Sequence, residues 1–151
     1  MKTTTTVFLS IALLLITGFT SCTKESADKI QEKSKTELLT QKAWKFVVQG
    51  LDENNNGVIE DSEADVFSCQ LDDVFTFHLN GTGLHTIGSA KCYDDEVNNN
   101  FSWQFSNNET ELAIFAYPEK INKLDENTLE TYYDDQNSLG QPVKYIKRFI
   151  H

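Results

Sequence analysis

The stretch that decides the fold runs from Cys69 to Cys92 and reads CQLDDVFTFHLNGTGLHTIGSAKC. Between Leu71 and Leu79 apolar residues recur at every second position from residue 75, which is the period of a half-buried β-strand. Asn80-Gly81 follows, and Asn-Gly favours a type I′ turn because both central residues of that turn need positive φ. The stretch therefore predicts a β-hairpin.

The length of the hairpin loop decides which residues face each other. A two-residue loop at Asn80-Gly81 would set three pairs opposite one another: Phe77 and Leu84, Phe75 and Thr86, Cys69 and Cys92. A longer loop, residues 80–83, would shift the register by two residues. Two cysteines across one hairpin predict a disulfide between Cys69 and Cys92, which also suits an exported protein. Two reduced cysteines are the alternative.

Other strand-like segments follow at short intervals along the chain. With the hairpin they give eight candidate strands: 43–51, 71–79, 83–90, 100–106, 111–117, 120–124, 128–133 and 142–150. The connections between them are short turns, so neighbouring strands should be antiparallel and in up-and-down order. We expect an all-β fold, a small eight-stranded antiparallel barrel, because closure removes both sheet edges. A two-sheet sandwich is the alternative.

Composition and charge narrow the classes of function. Hydrophobic residues make up 39% of the 151 residues and aromatic residues 11%, enough for a packed core. The formal net charge is −10, so the chain should repel phosphate backbones and bind no nucleic acid.

The beginning of the chain has the pattern of an export signal. Lys2 is followed by the apolar run 7–16, which is too short to span a bilayer, and then by small and polar residues. We interpret residues 1–21 as a lipoprotein signal peptide, 22–37 as a polar tether and 38–151 as the folded domain. Residues 19–22, Phe-Thr-Ser-Cys, resemble the lipobox of bacterial lipoproteins, which implies lipidation at Cys22. Cleavage that leaves a free Cys22 thiol is the alternative.

Residues 52–63, DENNNGVIEDSE, match the ligand positions of a twelve-residue calcium loop. The ligand candidates are Asp52, Asn54, Asn56, Val58 (through its carbonyl), Glu60 and Glu63, and Gly57 stands where such loops turn sharply. Calcium is the only cofactor that the sequence suggests. The flanking helix pair of an EF-hand is missing from the pattern, and an Asn-rich solvated turn is the alternative.

Several motifs together resemble those of a known family. They are Leu38-Leu39-Thr40, Trp44-Lys45, the Cys69-x-x-Asp72-Asp73-x-x-x-Phe77 run, Cys92 and Phe101-Ser102-Trp103. This set resembles bacterial lipocalin-like domain lipoproteins over residues 38–150. The resemblance implies a small β-barrel with a ligand cup, anchored by lipid in the cell envelope, in the outer membrane of a Gram-negative bacterium.

Two functions follow as expectations. In the first, the barrel binds a small apolar ligand in a pocket for which five aromatic residues are candidates: Trp44, Phe75, Phe77, Trp103 and Phe105. In the second, these residues fill the barrel, which then acts as a structural or protein- or glycan-binding module. The sequence contains no familiar catalytic motif, and we expect no enzyme. His78 and His85 are expected on one face of the hairpin, and the acidic pair Asp72-Asp73 in solvent.

Overall fold

The computed structural model describes residues 32–94 and 96–151. It consists of one short α-helix and eight β-strands. Their bounds are α1 Lys35–Thr40, β1 Trp44–Asp52, β2 Val74–Phe77, β3 Thr82–Thr86, β4 Asn99–Ser106, β5 Glu111–Ile114, β6 Tyr117–Leu124, β7 Thr128–Gln136 and β8 Pro142–Ile150. Each strand pairs antiparallel with the next, and β8 pairs with β1, so the sheet is a closed barrel in chain order. The predicted barrel is confirmed, and the sandwich is wrong.

Helix α1 begins inside the segment predicted as tether. Ser34 caps it: the Ser34 hydroxyl accepts from the backbone N–H of Glu37, and the Glu37 carboxylate accepts from the N–H of Ser34. Leu39 of this helix is fully buried, and its carbonyl accepts a hydrogen bond of 2.9 Å from the Trp44 indole. The folded unit therefore starts before residue 38, because the helix covers one end of the barrel.

Large apolar side chains fill that end of the barrel. The buried cluster comprises Leu39, Trp44, Phe46, Phe77, Phe101, Trp103, Leu112, Leu129 and Phe149. In β3, Gly83 makes room for this packing, since a Cβ there would lie 2.2 Å from the Phe101 ring. This half of the barrel is solid.

The β2–β3 hairpin has a different register from either of those predicted. Phe75 faces His85 and Phe77 faces Gly83. The N–H of His78 donates to the Thr82 carbonyl, so the hairpin loop holds the three residues 79–81. Gly81 has φ of +80° while Asn80 keeps negative φ, so the turn is not type I′. A three-residue loop with a left-handed glycine is the next commonest hairpin connection. The shift of one residue places His85 on the inner face with Phe75, whereas His78 is exposed.

The sequence predicts a single strand over residues 111–117, but the structure has the turn of the β5–β6 hairpin within this segment. Ile114 faces Tyr117, and the two residues between them, Phe115 and Ala116, have φ of +54° and +67°. Turns of this kind normally use Asn or Gly, and an aromatic residue with positive φ is an unfavourable choice. The strained turn places Phe115 beside Phe101, with ring centroids 5.2 Å apart.

The predicted Cys69–Cys92 disulfide is confirmed, with Cα atoms 5.3 Å apart. It does not lie across paired strands, however. Cys69 belongs to a short 3-10 helix, Ser68–Gln70, and Cys92 to the connection between β3 and β4. The disulfide therefore ties together the two segments that flank the β2–β3 hairpin.

The predicted signal peptide, the Cys22 lipidation site and most of the tether fall outside the described residues. Among the residues that are described, no helix is long and apolar enough to cross a membrane.

Candidate functional site

The half of the barrel opposite α1 contains a cavity of about 820 Å³. Volumes of this size accommodate small organic ligands. We call this cavity the cup. The barrel is therefore solid at one end and hollow at the other.

The apolar part of the cup wall consists mainly of aromatic residues. Its members are Phe46, Phe75, Ile114, Phe115, Pro118 and Phe149. Phe75 and Phe149 pack edge to face with ring centroids 5.4 Å apart, and Phe46 packs on Phe149 at 5.5 Å. Phe46 and Phe149 also belong to the buried cluster and Phe75 packs against it, so the top of the solid core forms the floor of the cup.

One side of the cup carries a buried carboxylate. Asp73 is 5% exposed, and its Oδ2 lies 2.9 Å from Nε2 of His85. Its Oδ1 accepts a hydrogen bond of 3.0 Å from the N–H of Gly88. The His85 ring stacks on Phe75 with centroids 4.3 Å apart. Asp73 was predicted to be solvated, and its burial follows from the connection after β3 folding over the start of β2.

An ion pair crosses the other side of the cup. Lys147 of β8 contacts Glu119 of β6, and the hydroxyl of Thr131, on the strand between them, donates to Glu119 at 2.6 Å. Thr131 is fully buried, and the side chains of Glu119 and Lys147 are 11% and 30% exposed. Thr131 faces Lys147 directly, and Glu119 lies on β6 two residues before Ile121, which faces Thr131 from the other side.

Two tyrosines, Tyr117 and Tyr133, line the mouth of the cup, and Tyr145 packs beside Tyr133. Tyr133 stacks on Tyr145 with ring centroids 5.0 Å apart, and the Tyr145 hydroxyl donates to Asp65 at 3.3 Å. Burial raises the pKa of Tyr133, and the negative charges of Asp135, Glu119 and Asp65 raise it further. Both signs of charge therefore lie near Tyr133, since the Lys147 ammonium is 5.9 Å from the centroid of its ring.

Of the five aromatic pocket candidates, only Phe75 lines the cup. Trp44, Phe77 and Trp103 belong to the solid core, and Phe105 packs against it. The alternation that marks a side chain as inward-facing does not say at which level of the barrel it lies. The polar residues of the cup (Asp73, His85, Glu119 and Lys147) were not predicted. They resemble ordinary outward-facing residues in sequence, and only the strand pairings bring them together.

The 52–63 loop folds back over the outer face of β1. Ala64 bridges to Gly50, and a Cβ at Gly50 would lie 2.1 Å from the Glu63 carbonyl oxygen, so only glycine permits this approach. Gly57 has φ of +79°, as the sharp turn of a calcium loop requires. Ile59 is buried, which fixes the loop on the barrel. Strand β1 precedes the loop, and an irregular segment with an isolated bridge follows it, in place of the two helices of an EF-hand.

Two carboxylates of the loop, those of Asp52 and Glu63, accept hydrogen bonds from backbone N–H groups of the same loop. Asp52 is 2% exposed, and its two oxygens accept from the N–H groups of Asn56 and Gly57 at 3.0 and 2.9 Å. The oxygens of Glu63 accept from the N–H groups of Glu53 and Glu60, both at 3.0 Å. Within the described part of the chain, no three His, Cys, Asp or Glu side chains are close enough together to hold a metal. A calcium ion would therefore need the loop's amide and carbonyl oxygens as well.

Comparison with known proteins finds no family model and no curated protein that matches the chain. Among solved structures, the chain is similar to bovine odorant binding protein in complex with undecanal, at 18% identity and a TM-score of 0.41, over 79% of this chain and 74% of that one. It is also similar to the bovine protein with a selenium-containing odorant, at 15% identity and a TM-score of 0.41, over 80% and 74% of the two chains. TM-scores of this size do not establish a common fold, and the barrel is assigned from the strand pairings of this chain alone.

Proposed function

We propose that this protein binds a small, largely apolar molecule in the cup of its barrel. The observation that carries the proposal is the cavity of about 820 Å³ with an aromatic floor and a few buried polar groups. This combination is typical of small-molecule sites, where apolar walls supply affinity and polar groups fix orientation. The solid half of the barrel gives the cup a rigid base.

A substitution that reduces the volume of the cup tests whether the cup binds the ligand. Gln49 lines the cup from β1, and Gln49→Trp would fill part of it. We expect purified wild-type protein to bind the apolar fluorophore N-phenyl-1-naphthylamine saturably, and Gln49→Trp to weaken this binding at least about tenfold, which corresponds to about 1.4 kcal/mol. Fluorescence titration measures the affinity.

The matched control is Lys45→Trp, which introduces the same side chain at an exposed position of the same strand. This variant should bind the fluorophore within about twofold of wild type, because Lys45 does not line the cup. A factor of two corresponds to a change in binding free energy below about 0.5 kcal/mol. Absence of saturable binding to wild type would contradict the proposal, as would equal binding by the two tryptophan variants.

We also propose that the 52–63 loop binds calcium weakly. The specific observation is that Asp52 is a buried carboxylate with no ion pair among residues 32–94 and 96–151. Lys144 faces Asp52 in the β1–β8 register, but its ammonium lies over the Tyr132 ring, 4.4 Å from the centroid. A buried carboxylate without a counter-charge is costly, and a cation would offset that cost. Further oxygen ligands, the type that calcium prefers, would come from Asn54, Asn56, Glu60, Glu63 and the carbonyl of Val58.

Calcium should stabilise the folded protein through this loop. For a dissociation constant in the millimolar range of lone extracellular sites, calcium at about ten times that constant adds about 1.4 kcal/mol to the free energy of unfolding. Urea unfolding with and without calcium measures the effect, and Glu63→Gln should abolish it. Glu53→Gln, at a position of the loop that offers no ligand, is the matched control and should keep it. An equal calcium effect in the two variants would place the ion elsewhere.

We further propose that the chain is a lipoprotein of the lipocalin-like type, anchored through Cys22 in the cell envelope, on the outer membrane. The signal-like residues 1–21 and the Phe-Thr-Ser-Cys sequence support this, and the Cys69–Cys92 disulfide is typical of proteins outside the cytoplasm. Acyl chains on Cys22 would supply stable attachment, since two or more are needed for it.

Replacing Cys22 tests the anchor. We expect Cys22→Ala to move the protein from the membrane fraction to the soluble fraction and to abolish incorporation of labelled palmitate. Ser26→Ala, a little further along the same polar segment, is the control and should leave both unchanged. Membrane attachment that survives in Cys22→Ala would show that another segment holds the protein.

A further inference from the structure

The cup wall includes several ionisable side chains, which the binding of a purely apolar ligand would not require. Its wall includes two carboxylates, Asp73 and Glu119, together with Lys147 and His85. The four side chains are between 7% and 30% exposed. Charges screened this weakly by water act strongly on a ligand head group beside them.

The lysine in the cup wall is already neutralised. Lys147 is paired with Glu119, which also accepts from the Thr131 hydroxyl. An ammonium carries three N–H donors, and a carboxylate has about four acceptor sites, so each partner keeps free hydrogen-bonding capacity. A head group placed against this pair can accept from Lys147 and donate to Glu119. It meets no uncompensated positive charge there.

The second carboxylate, that of Asp73, adds a negative charge to the cup wall that no lysine in the described part of the chain offsets. Asp73 is held by His85 and by the Gly88 N–H, and it has no lysine or arginine partner among the described residues. At the mouth, burial raises the pKa of Tyr133, and the charges of Asp135, Glu119 and Asp65 raise it further. A ligand carboxylate in the cup would be repelled by the buried carboxylate of Asp73.

We propose that the cup selects amphiphiles whose head group is uncharged and both donates and accepts a hydrogen bond, such as an alcohol or an amide, and that it excludes anions of the same chain length. This inference rests on the proposed ligand-binding function and names the class of ligand. An apolar tail would lie on the Phe46, Phe75 and Phe149 rings. The head group would lie against the Glu119–Lys147 pair.

A pair of ligands with the same carbon chain tests the selectivity on the wild-type protein. Decanol and decanoate would each displace N-phenyl-1-naphthylamine, at a pH above the ordinary range of histidine titration. We expect decanol to compete at least about tenfold more effectively than decanoate, because the tails bury equal apolar area and only the head groups differ. Equal or stronger competition by decanoate overturns the inference while leaving ligand binding intact. Absence of any binding to the cup overturns the proposed function instead, and the inference with it.

Removing the charge that neutralises Lys147 should abolish most of the preference for decanol. Glu119→Gln keeps the shape of the side chain and leaves the ammonium unpaired, so decanoate should bind about tenfold more tightly than to wild type, with decanol changed less than about threefold. Asp134→Asn is the matched control, because it removes one carboxylate from an exposed ion pair, with Lys120, outside the cup. A gain in decanoate binding that is the same in both variants would mean that total charge, not the cup, sets the preference, and would overturn the inference.

Discussion

Reduction of the Cys69–Cys92 disulfide should lower the free energy of unfolding by about 3.5 kcal/mol. The disulfide closes a segment with a sequence separation of 23 residues, and the chain-entropy model assigns this amount to a loop of that size. For a protein of this length the loss corresponds to a decrease of about 2 M in the urea midpoint. Urea unfolding followed by tryptophan fluorescence, with and without reductant, measures the difference.

The same segment forms one wall of the cup, so reduction should also weaken ligand binding. Asp72 accepts from the N–H of Ser89 at 2.7 Å and from its hydroxyl at 2.9 Å, next to the Gly88 contact of Asp73. These hydrogen bonds hold the connection after β3 against the start of β2. A double variant with both cysteines replaced by alanine should reproduce the effect of reductant and should then be insensitive to it. A reduced protein with an unchanged midpoint would show that the segment is held without the disulfide.

Trp44→Ala should cost about 3–5 kcal/mol of stability, the usual range for truncating a fully buried tryptophan. The Trp44 side chain has no exposed area, its indole N–H donates to the Leu39 carbonyl at 2.9 Å, and its ring stacks on His151 at 3.8 Å. The substitution leaves a cavity in the solid half of the barrel and removes the contact that holds α1. Urea unfolding measures the loss.

Trp44→Phe is the control for this prediction. It keeps an aromatic ring and most of the apolar volume while losing the indole hydrogen bond, so it should cost less than Trp44→Ala. Ligand affinity of the folded Trp44→Phe protein should equal that of wild type, because Trp44 does not line the cup. A loss below about 1 kcal/mol in Trp44→Ala would be inconsistent with a solid, well-packed end of the barrel.

The architecture could be predicted from local patterns. The alternation of Phe101, Trp103 and Phe105 marks a strand, and the short polar turns make neighbouring strands antiparallel. Helix α1 also had a signal, since Ser34 and Glu37 have the spacing of a capping box.

Register and turn positions were less accessible to prediction. The Asn80-Gly81 sequence suits both a two-residue and a three-residue loop, and only the packing of the paired strands decides between them. The Phe115-Ala116 turn has no turn-forming residue, so tertiary contacts such as that with Phe101 must hold it.

The candidate site depended most on long-range geometry. Glu119 and Lys147 are 28 residues apart, and they meet because β6, β7 and β8 are neighbours in a closed sheet. Nothing in the local sequence distinguishes an inward-facing Lys147 from the exposed Lys120, since both interrupt strands of mixed composition. For the aromatic residues, the alternation along the strands shows that the side chains face the interior of the barrel. It does not show whether they lie in the solid half or at the cup.

The most direct test of a barrel that is solid at one end and binds ligand at the other is a nuclear magnetic resonance titration. Decanol added to isotope-labelled protein should shift the amide signals of residues around the cup, such as Phe75, Lys147 and Phe149. The indole N–H signals of Trp44 and Trp103, which donate to backbone carbonyls in the solid half, should stay in place. Shifts centred on the two indoles, or no saturable shifts in the cup, would contradict this division of the barrel.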